Sequence, residues 1–140
     1  MKRIVSRSIW IVVYYVLFSH SAVAEENMST ATSASSATDV IHQYFAVLEQ
    51  GDTAGIQNLL GGALLKNRKR LLSNPTYPAT LQQLYHDASF SIIETKIVDA
   101  KRVTVDAKVL WNDNRQMRLH FQLKKTTEGN YLIHAEDEIL

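Results

Sequence analysis

The chain has no cysteine among its 140 residues, which excludes disulfides and also excludes a lipid-modified cysteine at an export cleavage site. The fold must therefore be held by its core alone. Proline occurs twice and glycine five times. The Gly61-Gly62 pair lacks the following Gly-Lys-Ser/Thr of a phosphate-cradling loop, and no Gly-x-Ser-x-Gly elbow frames any serine. The longest apolar run, Ile9 to Phe18, falls short of the roughly 20 residues that span a bilayer. Basic excess is missing too once the N-terminus is set aside. Removing Lys2, Arg3 and Arg7 from the 15 basic side chains leaves 12 against 14 acidic ones. A slightly acidic domain is not the profile of a nucleic-acid binder, so no nucleic-acid partner is expected.

What is present at the N-terminus has the order of a secretory signal peptide. Lys2, Arg3 and Arg7 form the basic region, Ile9 to Phe18 the apolar region, and Ala22-Val23-Ala24 the small-x-small cleavage pattern. The expected organisation is a signal peptide over 1–24, a flexible linker over 25–37 rich in Ser, Thr and Ala, and one folded domain over 38–140. Cleavage after Ala24 would release a periplasmic or secreted protein beginning at Glu25. Retention of the segment would instead anchor the domain in a membrane.

Periodicity divides the domain in two. Ser36-Ala37-Thr38-Asp39 has capping-box spacing and predicts a helix start, followed by Ile41, Tyr44, Phe45 and Leu48 on one face. Gly51 ends that helix, and Asp52 caps a short second one over Ile56, Leu59 and Leu60. Ala63 to Leu72 predicts a third, with Leu64, Leu65, Leu71 and Leu72 inward. Asn74-Pro75 and Tyr77-Pro78 predict a loop, and Leu81, Leu84 and Tyr85 a further short helix. Beyond Asp87 the period becomes two. Strands are expected over Phe90 to Val98, Val103 to Trp111, Met117 to Leu123 and Tyr131 to Glu136, with turns at Asn112-Asp113-Asn114 and Glu128-Gly129-Asn130. Helices first and strands afterwards predict an α+β fold, with N-terminal helices packed on an antiparallel sheet of about four strands.

This pattern resembles the nuclear-transport-factor-2-like superfamily over about residues 38 to 140. The resemblance is carried by Tyr44-Phe45-Ala46-Val47-Leu48-Glu49-Gln50-Gly51-Asp52, by Val103 to Val109, and by Phe121-Gln122-Leu123-Lys124-Lys125 leading to Gly129-Asn130-Tyr131-Leu132-Ile133. It implies a curved sheet wrapped around the first helices as a cone. Members include isomerases and cyclases, which place a carboxylate base and hydrogen-bond donors inside the cone, and proteins that only bind or assemble. Dimers through the outer face of the sheet are frequent in the superfamily, so a homodimer of that kind is expected.

Candidate site residues follow from these expectations. Tyr44, Tyr85, Trp111, Phe121 and Tyr131 are the aromatic set expected in the cone, either as core packing or as the lining of a pocket for a small apolar ligand. Lys66, Arg68, Lys69 and Arg70 form a basic cluster, either a solvated helix face or a patch for anionic lipid or an acidic envelope protein. Glu136-Asp137-Glu138 reads as a solvated acidic tail. His42, His86, His120 and His134 have no metal-ligand spacing, so no metal is expected, a site joining His120 and His134 across neighbouring strands being the one route left. No cofactor and no catalytic residue is assigned. The function these features favour is an exported non-enzymatic binding or assembly module. The alternatives are a small-molecule-binding protein or isomerase- or cyclase-like enzyme using Tyr44 with a strand carboxylate such as Glu94 or Asp99, and a membrane-anchored component of an envelope or secretion machine.

Overall fold

The structure, a computed structural model, describes the backbone of residues 21–140 and the side chains of residues 29–140. The signal segment expected over 1–24 lies outside the described residues up to residue 20. The chain divides into two compact units, Met1–Thr32 and Ser33–Leu140. The second contains the fold described below. Its elements run α1 (Ser21–Gln50, shared with the first unit), α2 (Thr53–Leu59), α3 (Gly62–Leu72), α4 (Tyr77–Tyr85), β1 (Ala88–Ile97), β2 (Arg102–Trp111), β3 (Gln116–Lys125) and β4 (Tyr131–Ile139). The strands form one antiparallel sheet in the order β1-β2-β3-β4, with the helices before it in sequence and packed on it, as the α+β expectation requires. Among the described residues no helix is long and apolar enough to cross a membrane.

α1 begins earlier than the capping-box spacing predicts. Residues 25–37, expected as a flexible linker, are helical, and Thr38 Oγ1 donates back to Ala34 O at 2.9 Å instead of capping a helix start. The physical reason is propagation. Residues 21–50 contain neither glycine nor proline, and once Ala37, Ile41, Tyr44, Phe45 and Leu48 are packed in the core, adding turns N-terminally needs no new nucleus.

The end of α1 is where the sequence places it. Gly51 takes φ +67°, Gly51 N–H donates to Leu48 O at 3.2 Å, and Asp52 N–H donates to Val47 O at 2.9 Å, the paired bonds of a Schellman motif. Asp52 Oδ1 then accepts from Gly55 N–H at 2.9 Å and caps α2. Two further expectations change. Tyr77-Pro78 does not make a loop but opens α4, because proline lacks only an N–H that the first helical turn leaves unpaired anyway. Leu71 is 44% exposed, and of the four leucines on α3 only Leu72 is fully buried.

The clean alternation of β2 holds throughout. Val103, Val105, Ala107, Val109 and Trp111 are all buried, facing Leu123, Phe121, Leu119 and Met117 of β3 and the apolar face of α1. Two bulges interrupt the other ladders. Ile93 is the extra residue in β1, between the pairs Ile92↔Ala107 and Glu94↔Asp106. His134 is the extra residue in β4, between Leu123↔Ile133 and Gln122↔Ala135. Each bulge reverses which residues of its strand face the core.

A Cβ at Gly51 would stand 2.5 Å from Pro78 O, which is backbone and cannot swing aside. Gly51→Ala is therefore expected to lower stability by about 2 kcal/mol or more, combining the left-handed φ with that clash. The readout is a thermal midpoint lower by roughly 10 °C. An unchanged midpoint would mean that α1 does not end in this motif.

Candidate functional site

The bulge at His134 decides what enters the core from β4. Tyr131 and Ile133 point inward, and an uninterrupted strand would send Glu136 out to solvent. With one extra residue, Glu136 pairs with buried Phe121 and faces the core. The expectation of a solvated acidic tail thus fails for Glu136, whose side chain is 14% exposed, while Asp137 and Glu138 remain outside.

Glu136 meets two partners there. Its Oε2 accepts from Tyr44 OH at 2.6 Å and from Arg68 Nη1 at 2.9 Å, and Arg68 Nη1 also donates to Tyr44 OH at 2.7 Å. Arg68 therefore leaves the basic cluster. It lies half-buried on the inner side of α3, while Lys66, Lys69 and Arg70 stay exposed. The three-way contact ties α1, α3 and β4 together by charge-assisted hydrogen bonds. Burial, with Glu136 adding to it and Arg68 opposing it, pushes the Tyr44 phenol well above its ordinary range. Burial alone would lower the Arg68 guanidinium, but its contacts with Tyr44 and Glu136 outweigh that and raise it. Tyr85 is pushed up to about 12, mainly by burial and then by Glu136.

The aromatic set does not line one open space. Tyr44 packs edge-on against Phe121 at 5.8 Å, Phe45 stacks on Phe90 at 4.0 Å, and Tyr85 stacks on Trp111 at 6.2 Å, with Trp111 Nε1 donating to Leu84 O at 2.8 Å. These rings fill the interior by packing on one another. Tyr131 stands apart from them. It is buried under Lys125, whose Nζ is 5.8 Å from the ring centre, and its hydroxyl has no partner among the described residues.

Tyr131 also belongs to the wall of an open cleft of about 640 Å³. Ser36, Asp39, Val40 and Gln43 supply one wall from successive turns of α1, Asn58 and Leu59 a second from the end of α2, and residues 126–132 of the β3–β4 hairpin the third. The hairpin is tied by Thr126 N–H to Asn130 O at 2.6 Å and turned by Gly129 at φ +91°. Periodicity alone gives no sign of this cleft, since its walls come from three segments far apart in sequence.

The carboxylates considered for proton abstraction lie elsewhere. Glu94 is exposed on β1, and Asp99 caps the β1–β2 turn through Lys101 N–H and Arg102 N–H, both at 2.9 Å. His42 and His86 are exposed on α1 and at the end of α4. His120 Nδ1 lies 2.5 Å from Asp106 Oδ1 on the outer face of the sheet, and the His134 ring packs on Gly61 and Gly62, where burial first and Lys124 second lower its pKa. Among the described residues no three His, Asp or Glu side chains are grouped to hold a metal ion.

The arrangement is that of the nuclear-transport-factor-2-like, or cystatin-like, fold. A nuclear-transport-factor-2-like protein of unknown function from Shewanella oneidensis superposes with a TM-score of 0.50 at 12% identity, covering 74% of this chain and 96% of that one. A domain of unknown function with a cystatin-like fold from Nostoc punctiforme gives 0.52 at 12% identity, covering 76% of each chain. No family model matches the chain, and no curated protein is similar to it in sequence.

Removing Glu136 leaves Arg68 with its charge half-buried and short of a partner, so Glu136→Ala is expected to cost roughly 2–3 kcal/mol, against about 1 kcal/mol for Tyr44→Phe. Replacing both members, as Arg68→Met with Glu136→Met, should cost less than the sum of the singles in denaturant melts; strict additivity would show the contact to be energetically idle. Alkaline pH supplies a separate check. Tyr44 and Tyr85 keep their protons in the folded chain above the ordinary 10.0, where the unfolded chain releases them. Stability is therefore expected to be undiminished by these groups below pH 10 and to fall as pH rises towards 12, with phenolate absorbance appearing as the fold is lost. Phenolate absorbance complete at pH 10 in the folded chain would refute this.

Proposed function

We propose that the chain is an exported binding module that takes its ligand in the cleft between α1, α2 and the β3–β4 hairpin, not in the interior of the fold. Export rests on the residue order at the N-terminus, where a basic segment, an apolar segment and Ala22-Val23-Ala24 follow one another. The location of binding rests on one observation. The interior is occupied by stacked aromatic rings, while the cleft, at about 640 Å³, is open and within the size range of small-molecule sites. Its lining of amide, hydroxyl and carboxylate side chains around Val40, Leu59 and Leu132 suits a small ligand with several polar groups on a compact apolar body.

A binding role is favoured over catalysis by the state of Glu136. A general base needs a free lone pair directed at the substrate. Glu136 Oε2 already accepts from Tyr44 and Arg68, and Glu136 is not among the residues that line the cleft.

Two measurements on one preparation test the reading. Protein recovered from the producing cell should be soluble, with a mass corresponding to a chain beginning at Glu25. Titrating that protein with a mixture of small polar fragments should move the amide resonances of residues 36–43, 58–59 and 126–132. Full-length protein confined to membranes overturns the export reading, and shifts centred on Tyr44, Arg68 and Glu136 overturn the cleft.

A further inference from the structure

We infer that two copies of this chain associate edge to edge through β1, in an antiparallel pairing whose two-fold axis passes through Thr95. β1 is the outer strand of an open sheet and is ten residues long. A long edge strand offers its unpaired backbone groups to any second strand, and soluble proteins commonly blunt such edges with charges, proline, a bulge or a covering element; on β1 the bulge at Ile93 confines the regular edge to the residues after it. The two edges of this sheet are treated differently. On β4, Leu60 forms a parallel bridge with Ile133, Gly61 N–H donates to Ile133 O at 2.9 Å, and the strand carries exposed Asp137 and Glu138 near its end, which would repel a copy of itself. On β1, no backbone group of residues 93–97 bonds to anything on the outer side among the described residues. Ile93, Ile97 and Val98 are exposed there at 46%, 37% and 49%.

Hydrogen-bond parity identifies which groups are free. Val98 N–H donates to Arg102 O at 2.9 Å, so Val98 turns its backbone towards β2. By the alternation of an antiparallel ladder Lys96 does the same, leaving Ile97 and Thr95 with backbone groups directed away from the sheet. A two-fold axis at Thr95 then brings together the free backbone groups of Thr95 in both copies. The same axis sets Glu94 opposite Lys96 of the second copy, and Lys96 opposite its Glu94. The bulge sets Ile93 on the outer face beside Glu94, whereas Ile97 pairs with buried Val103 on the core side, so the two isoleucines do not meet and the charge pairs carry the join. Opposite charges directly across a strand pair stabilise it, and here the Glu94–Lys96 pair occurs twice. The sequence Glu94-Thr95-Lys96 is thus complementary to itself when reversed. Glu94 and Lys96 have no ion pair within their own chain among the described residues, so both are available. The contact lies at the edge of the sheet, not on the outer face expected from the resemblance.

Charge exchange between two variants tests this contact directly. The unaltered chain should sediment as a dimer that dissociates on dilution. Glu94→Lys places Lys opposite Lys twice, and Lys96→Glu places Glu opposite Glu twice, so each alone should weaken dimerisation about tenfold or more. Mixed in equal amounts, the two variants should restore the dimer as a heterodimer, and the double variant Glu94→Lys/Lys96→Glu should restore the homodimer. Thermal midpoints at low concentration should match the unaltered chain, because both side chains are exposed. A chain monomeric at several hundred micromolar overturns the inference, as does a dimer indifferent to these changes or one abolished instead by Lys108→Glu and Arg118→Glu on the outer face.

Discussion

The seating of the α2–α3 junction against the β4 bulge is the contact on which the rest of this structure depends. Leu60 and Gly61 pair with Ile133, and the next residue, His134, is both the bulge in β4 and the ring that lies on Gly61 and Gly62. A Cβ on Gly61 would come within 2.8 Å of His134 Nε2, and one on Gly62 within 2.7 Å of Nδ1. The glycine pair therefore does more than break the chain between two helices, because it admits an imidazole against bare backbone. Gly62, at φ +56°, also sets the direction in which α3 departs. The same residue step thus aims Arg68 from α3 and Glu136 from β4 at one point, where Tyr44 completes the contact. Had the bulge been absent, Ala135 would face the core, and Arg68 would have no carboxylate to meet.

That dependence explains which parts of the molecule can be read from the residue string. β2 is legible residue by residue because it pairs without a register shift, so its period of two survives from Val103 to Trp111. The α1 terminus is legible because Gly51 and Asp52 carry the local chemistry of a Schellman end and a cap. The identity of the interior carboxylate is not legible. Leu132-Ile133-His134-Ala135 contains no glycine to advertise a bulge, and continuing the alternation from Tyr131 and Ile133 sends Glu136 to solvent. Arg68 is hidden by its neighbours. Charge sign places it with Lys66, Lys69 and Arg70, and only the partner on another element separates it from them. The start of α1 escaped for a different reason, since Thr38 and Asp39 have cap chemistry but sit on a helix already stabilised by Ala37 and Ile41 in the core.

A half-buried ion pair contributes little net stability beyond what an apolar pair of similar volume would give. Its contribution here is directional. Phe45, Phe90, Phe121 and Ile41 can be repacked with modest loss, because apolar contacts tolerate sliding. A carboxylate oxygen that must sit 2.6 Å from one donor and 2.9 Å from another does not. The contact therefore fixes how α1 and α3 lie on β4, whereas the surrounding rings supply most of the apolar burial.

Rigidity at that point carries over to the cleft. One of its walls is the stretch of α1 from Ser36 to Gln43, and Gln43 immediately precedes Tyr44. The opposite wall is the hairpin leading into β4, whose strand holds Glu136 five residues beyond Tyr131. Because Tyr44 and Glu136 are bonded to each other, the two walls cannot separate without breaking that bond, and the third wall at Asn58 and Leu59 is held by the bridge from Leu60 to Ile133. The cleft is in this sense pre-formed, so a ligand entering it orders little of the protein and spends little of its interaction energy doing so. The interior contact of Tyr44, Arg68 and Glu136 and the polar walls of the surface cleft are thus mechanically one arrangement, the first holding the second in place.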